Sequence, residues 1–125
     1  MSYVYDGQKR LIHLSGNLVD VGKFEKKIKY DTHGNIAFLG FYEYPQMGGY
    51  DKYEYIYHNL YDEKGLLYKT EYLYNVESKS HNLSSRYSLN FVSCYKYDIL
   101  GNWIEVLTTD EHGGGECVKR LITYK

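Results

Sequence analysis

The chain is 125 residues long and carries 17 Tyr, 12 Gly, one Pro and a single Ala, a composition that argues against a mainly helical domain and for β-structure. Fifteen basic against sixteen acidic residues give a net charge of −1, and both signs are scattered along the chain, which disfavours electrostatic nucleic-acid binding. No apolar run approaches the roughly 18 residues of a membrane helix, and no charge-dense, aromatic-poor stretch marks long disorder.

One domain spanning residues 1–125 is expected. Without Tyr only 37 apolar residues remain, about 30% of the chain, so the phenol rings must supply much of any core. The N-terminus, Met1 to Asp6, lacks the basic start and apolar stretch of a secretion signal, which points to the cytoplasm unless a signal has been removed. Ile12-His13-Leu14-Ser15-Gly16-Asn17-Leu18 keeps the Gly-Asn of a motif that is clearer further on, and reads as a degraded copy of it. The densest basic stretch, Lys26-Lys27-Ile28-Lys29, reads as a solvated strand with protective lysines.

Three segments then share Tyr-Asp-x-x-Gly followed by Asn or Leu and an apolar residue: residues 30–36, 61–67 and 97–103. Each reads as a hairpin turn, in which Asp accepts backbone N–H bonds and Gly supplies a positive φ at Gly34, Gly65 and Gly101. Between them lie strand-like segments, residues 36–44, 52–61, 66–75 and 86–97. A second, variable set of turns is expected at residues 20–23, 45–49, 75–85 and 110–115. In an up-and-down meander the two sets fall on opposite ends.

Period-two alternation assigns the faces. Pairing Tyr61 with Leu66 puts Tyr53, Tyr55 and Tyr57 on the side of Tyr72 and Tyr74, and continuing the register adds Tyr87, Leu89, Phe91, Tyr95, Tyr97, Ile104 and Val106. Ile56, Leu60, Leu67, Leu73, Val92, Trp103 and Leu107 fall opposite, too many apolar groups for a plain solvated surface, so the sheet is expected to curl, be covered or form a homodimer through an apolar face. The fold class is all-β: an antiparallel meander of about eight or nine strands built from Tyr-Asp-x-x-Gly hairpins, twisted enough to curl towards a barrel.

The Tyr-Asp-x-x-Gly-Asn turns, most fully Lys96-Tyr97-Asp98-Ile99-Leu100-Gly101-Asn102-Trp103, resemble the YD repeats of RHS-type bacterial surface and toxin-delivery proteins over roughly residues 12–125. The resemblance implies a sheet of hairpins, a bacterial cell-surface or secreted setting, and architectural rather than catalytic roles for the repeated Tyr, Asp and Gly. It points to a stand-alone, non-enzymatic binding or scaffold module with a protein or carbohydrate partner. An immunity protein neutralising a cognate toxin is the alternative.

No catalytic, metal or cofactor set emerges. Asp31, Asp62 and Asp98 lie on turns two strands apart, about 10 Å, too far to share an ion. His13, His33, His58, His81 and His112 lack metal-ligand spacing. Asp110-Glu111-His112 precedes three glycines and reads as a flexible loop, and Ser84, Ser85 and Ser93 have no visible histidine partner. Asn82-Leu83-Ser84 fits a glycosylation acceptor, which a bacterial chain leaves unused. Cys94 and Cys117 fall on strands separated by a third, about 10 Å apart, and are expected to be free. The candidate binding residues are aromatic: Tyr42 and Tyr44 beside the Pro45 turn, Tyr74 beside the turn at residues 75–85, and Trp103. The partner is expected at the variable end, where loops change without disturbing the ladder.

Overall fold

A computed structural model describes residues 1–19, 22–46, 48–80 and 83–124. Nine strands form one antiparallel sheet in chain order: β1 (Ser2–Tyr5), β2 (Leu11–Leu18), β3 (Gly22–Tyr30), β4 (Ile36–Tyr44), β5 (Tyr50–Tyr61), β6 (Leu67–Ser80), β7 (Leu83–Tyr97), β8 (Trp103–Asp110) and β9 (Gly115–Lys119). Among the described residues each strand touches only its sequence neighbours, so β1 and β9 form opposite edges and the sheet is open. The expected curl into a barrel is therefore corrected. In a nine-strand meander the first and last strands run the same way, so closure would force a parallel pair into an antiparallel ladder.

The face assignment rests on the register. Tyr53, Tyr55, Tyr57 and Asn59 pair with Val76, Tyr74, Tyr72 and Thr70, which in turn face Tyr87, Leu89, Phe91 and Ser93. Tyr61 pairs with Leu67 rather than Leu66, through a bulge at Leu60/Tyr61, so the ladder sits two residues from the expected alignment. A shift of two preserves the faces, where a shift of one would have swapped them.

Five connections share one hydrogen-bond ring. The N–H of Asp6, Asp31, Asp62, Asp98 and Asp110 donates to the carbonyl four residues on, and the residue three on donates back to the Asp carbonyl, at 2.8–3.2 Å. That third residue is at positive φ in each: Lys9 (63°), Gly34 (87°), Gly65 (82°), Gly101 (86°) and Gly113 (84°). The degraded copy expected at residues 12–18 is corrected: Gly16 and Asn17 lie inside β2, and the turn sits at Tyr5-Asp6-Gly7-Gln8-Lys9, with Lys in the position Gly takes elsewhere. Two variable loops are corrected as well. Residues 75–85 belong mostly to β6 and β7, which pair out to Ser80 opposite Leu83. Residues 110–115 form a closed turn rather than a flexible loop, because Asp110 Oδ1 accepts the N–H of His112 and Gly114, each at 2.9 Å. Asp20, Val21 and Met47 in the variable turns, and His81 and Asn82 with its acceptor pattern, lie outside the described residues.

There is almost no interior. Ile28 and Val76 are the only buried apolar residues described, 7% and 6% exposed, beside buried Thr70 and Ser93. Thr70 donates to Asn59 at 2.9 Å and Ser93 bonds Thr108 at 2.7 Å, so the buried hydroxyls are satisfied. All four lie on the tyrosine face. The chain exposes 9146 Å², where a folded chain of 14.8 kDa should expose about 7,000 Å².

Candidate binding face

On β5, β6 and β7 the alternating aromatics form a ladder of rings. Tyr55 stacks on Tyr74 at 4.5 Å and 23°, Tyr72 on Phe91 at 4.9 Å and 14°, and Tyr57 tilts towards Tyr72 at 5.6 Å. Tyr87 meets Tyr74 edge-on at 6.3 Å. The stacked separations match the spacing of about 4.8 Å between strands, so the rings stack along the sheet and turn their edges and hydroxyls outward. Leu39 of β4 and Val106 of β8 extend the face on either side of the ladder. The cause is local: Tyr or Phe recurs at alternate positions of three adjacent long strands, interleaved with Leu89 and Val76 and held in register by the hairpins.

Burial raises the pKa of Tyr53, Tyr57 and Tyr72, with like charges from neighbouring acids or phenols adding to it. Burial, Tyr55 and Tyr87 push Tyr74 up to about 12. These rings stay neutral through the ordinary pH range, so the centre of the face carries hydroxyls and no formal charge.

The opposite face has another chemistry. Lys27–Glu25, Lys52–Glu54, Lys69–Glu71 and Lys96–Glu105 all pair there, at 3.1, 3.2, 3.1 and 3.8 Å. Apolar groups sit among these charges: Phe38, Ile56 and Leu73 form a cross-strand row, with Val92 and Leu107 beyond it, and Ile56 and Leu107 are each 43% exposed.

The four aromatics expected from sequence do not converge. Tyr42 and Tyr44 lie on the charged face of β4, where Tyr42 donates to Glu54 at 2.7 Å and carries Lys27 over its ring at 5.4 Å. Burial, then the Glu54 bond, raises the Tyr42 pKa strongly. Tyr74 belongs to the ladder on the other side. Trp103 stands at the Tyr-Asp end with the Arg120 guanidinium over its ring at 5.1 Å. The residues that do converge, Tyr55, Tyr57, Tyr72 and Phe91, are legible in the alternation, yet sequence reasoning assigned them to a core.

The Tyr-Asp turns are bound one to the next. The hydroxyl of Tyr30 donates to the Leu11 carbonyl at 2.9 Å, Tyr61 to the Asp31 carboxylate, Tyr97 to the Leu67 carbonyl at 2.6 Å, and Tyr124 to the Asp98 carboxylate. Burial pushes the Asp31 carboxyl up, but bonds from Tyr61, Asn59 and the N–H groups of Asn35 and His33 outweigh it and hold it below its usual value. Tyr124, then the Asn102 N–H, depresses Asp98. These carboxylates are spent on the turns.

The histidines serve locally: His33 stacks on Tyr61 at 3.7 Å, while His13 and His58 approach Glu25 and Glu71 at 3.3 and 3.9 Å. Among the described residues no three His, Cys, Asp or Glu side chains are grouped as a metal ion requires. Cys94 on β7 and Cys117 on β9 are free and both face Leu107 of the intervening β8. No family model, curated protein or solved structure matches the chain.

Proposed function

We propose that the chain is a non-enzymatic binding or scaffold module, related to the YD-repeat surface proteins of bacteria, that docks a protein on the tyrosine face of β4 to β8. The carrying observation is a half-exposed, uncharged array of aromatic rings on a sheet with no second layer. An amphipathic sheet reaches a stable architecture by covering its apolar face. The ring geometry favours protein over carbohydrate as the cover: a sugar stacks on the flat face of a ring, and in this ladder the flat faces lie against one another. Outward edges and hydroxyls suit a surface of interdigitating side chains. Support for the repeat reading comes from the shared ring of hydrogen bonds and from the tyrosines that tie each Tyr-Asp turn to the one before it.

The test is photo-crosslinking in cells that make the protein, with a photoreactive phenylalanine at Phe91 or at Leu73. Covalent protein adducts are expected from Phe91. Adducts from Leu73 alone, or a glycan-array signal that Phe91→Ala abolishes, would overturn the reading.

A further inference from the structure

The tyrosine face lacks a cover, and the chemistry of that face narrows what the cover is. We infer that it is a second copy of the same chain, packed face to face through β4 to β8 into a two-sheet sandwich; the inference rests on the reading of this face as a docking surface.

The area comes first. The chain exposes 9146 Å² against about 7,000 Å² expected for its mass, an excess of about 2,100 Å². Two copies that each hide that excess bury about 4,000 Å² together, within the roughly 2,000–5,000 Å² of obligate homodimers. Two sheets about 10 Å apart are also the standard way for antiparallel sheets to make a core.

Charge comes second. An isologous interface sets a surface against itself, so a net charge at its centre would repel. Leu39, Tyr55, Tyr74 and Leu89 form a cross-strand row over β4 to β7 without a charge in it. The charges of this face flank that row: Lys26 on β3, Glu43 and Asp51 at the variable end, and Asp110, the cross-strand partner of Phe91, with Glu116 on the β8–β9 side. The opposite face, with four Lys–Glu pairs, would have to dehydrate all of them to pack in the same way.

Hydrogen-bond capacity comes third. A phenol hydroxyl both donates and accepts, so two identical tyrosine faces can satisfy each other. A face edged with carboxylates or ammonium groups alone could not.

Sedimentation equilibrium of the wild-type chain between about 1 and 100 µM tests this directly. Twice the 14.8 kDa chain mass is expected, with a melting temperature that rises with protein concentration. Phe91→Asp should give the single-chain mass, and Leu73→Asp, its counterpart on the charged face, should keep the dimer. If Phe91→Asp fails to fold, tyrosine nitration of the wild type supplies the same information. Tyr57 and Tyr72 should then be protected relative to Tyr44 of the charged face, which is 44% exposed, and should gain reactivity on dilution. A single-chain mass throughout the range overturns the second-copy inference. Were that monomer still to give protein adducts from Phe91, the docking face would stand with a different occupant; a monomer without adducts sinks both. A dimer insensitive to Phe91→Asp but abolished by Val118→Pro on the β9 edge would mean strand-to-strand association, and would also overturn the inference.

Discussion

Consecutive residues of β6 belong to two different surfaces. Thr70, Tyr72, Tyr74 and Val76 face the ring ladder, while Lys69, Glu71, Leu73, Asn75 and Glu77 face the ion pairs. Both surfaces share one backbone ladder, so they differ only in what the side chains do. On one side stabilisation comes from ring contact and area removed from water; on the other it comes from exposed charge pairs, each contributing about 0.2–1 kcal/mol at most. A single-layer sheet can therefore be strongly asymmetric while burying very little.

Truncating one residue on each side separates the two surfaces. Tyr72 contacts Tyr57 and Phe91, so Tyr72→Ala removes two ring contacts and most of a half-buried side chain. A loss of about 2–3 kcal/mol is expected, short of the full cost of a deeply buried aromatic. Ile56, 43% exposed on the charged face, should cost about 1 kcal/mol or less as Ile56→Ala. Urea denaturation of both variants checks it, and equal losses would mean that the faces are energetically alike.

Alkaline pH attacks the tyrosine side. Because burial raises Tyr53, Tyr57, Tyr72 and Tyr74 above 10.0, the neutral phenol is favoured in the folded state. That stability is fully present below pH 10 and is lost as pH rises towards about 12, where Tyr74 ionises. Ultraviolet difference titration should show phenolate appearing together with loss of β-sheet circular dichroism. Tyr74→Phe should move the transition to higher pH; normal, independent phenol titration in an intact sheet would remove the basis for a desolvated face.

The turns belong to neither face and report on the hairpins that hold both in register. Asp31 accepts from two N–H groups, from Asn59 at 3.0 Å and from Tyr61, whereas Asp62 caps only its own turn through Lys64 and Leu66 at 2.8 and 2.9 Å. Asp31→Asn should cost about 1–2 kcal/mol and Asp62→Asn less, because an amide still caps but loses charge-assisted bonds. The depressed Asp31 pKa contributes stability that is present above the ordinary aspartate value of about 3.9 and is lost as pH falls through the lower folded value. Acid unfolding of Asp31→Asn should accordingly be shallower than that of wild type, and superimposable curves would refute the role given to this carboxylate.

The meander, its strand order and its two faces were legible because period-two alternation survives a register error of two residues, as at Tyr61 and Leu67. Turn identity was less legible. A search for Gly passed over Tyr5-Asp6 because Lys9 adopts a φ of 63°, a conformation that costs a side-chain-bearing residue about 1–2 kcal/mol and is rarely expected. Residues 75–80 and 83–85, polar and rich in Ser, read as loop, yet each is held by a cross-strand partner such as Ser78 opposite Ser85. The exposure of the ring ladder escaped for a different reason. Composition called for the tyrosines as a core, and only the strand order shows that the ring ladder is half-buried with no second layer over it among the described residues.

The smallest expected effect is on the charged face and concerns salt. Its four Lys–Glu pairs include partners such as Lys27 and Lys96, with side chains 51% and 71% exposed, so solvent screens them already. At 1 M ionic strength the Debye length shrinks to about 3 Å, no longer than any of these contacts, and each pair should lose a few tenths of a kcal/mol. Sodium chloride should therefore lower the stability of the wild type only slightly, and Lys69→Met, which removes one pair, should reduce that sensitivity further. The tyrosine face responds with the opposite sign, because a salting-out anion such as sulfate strengthens apolar burial. Melting temperatures in matched chloride and sulfate series separate the two responses. A large chloride sensitivity that Lys69→Met abolishes would mean that the ion pairs, not the rings, carry the sheet.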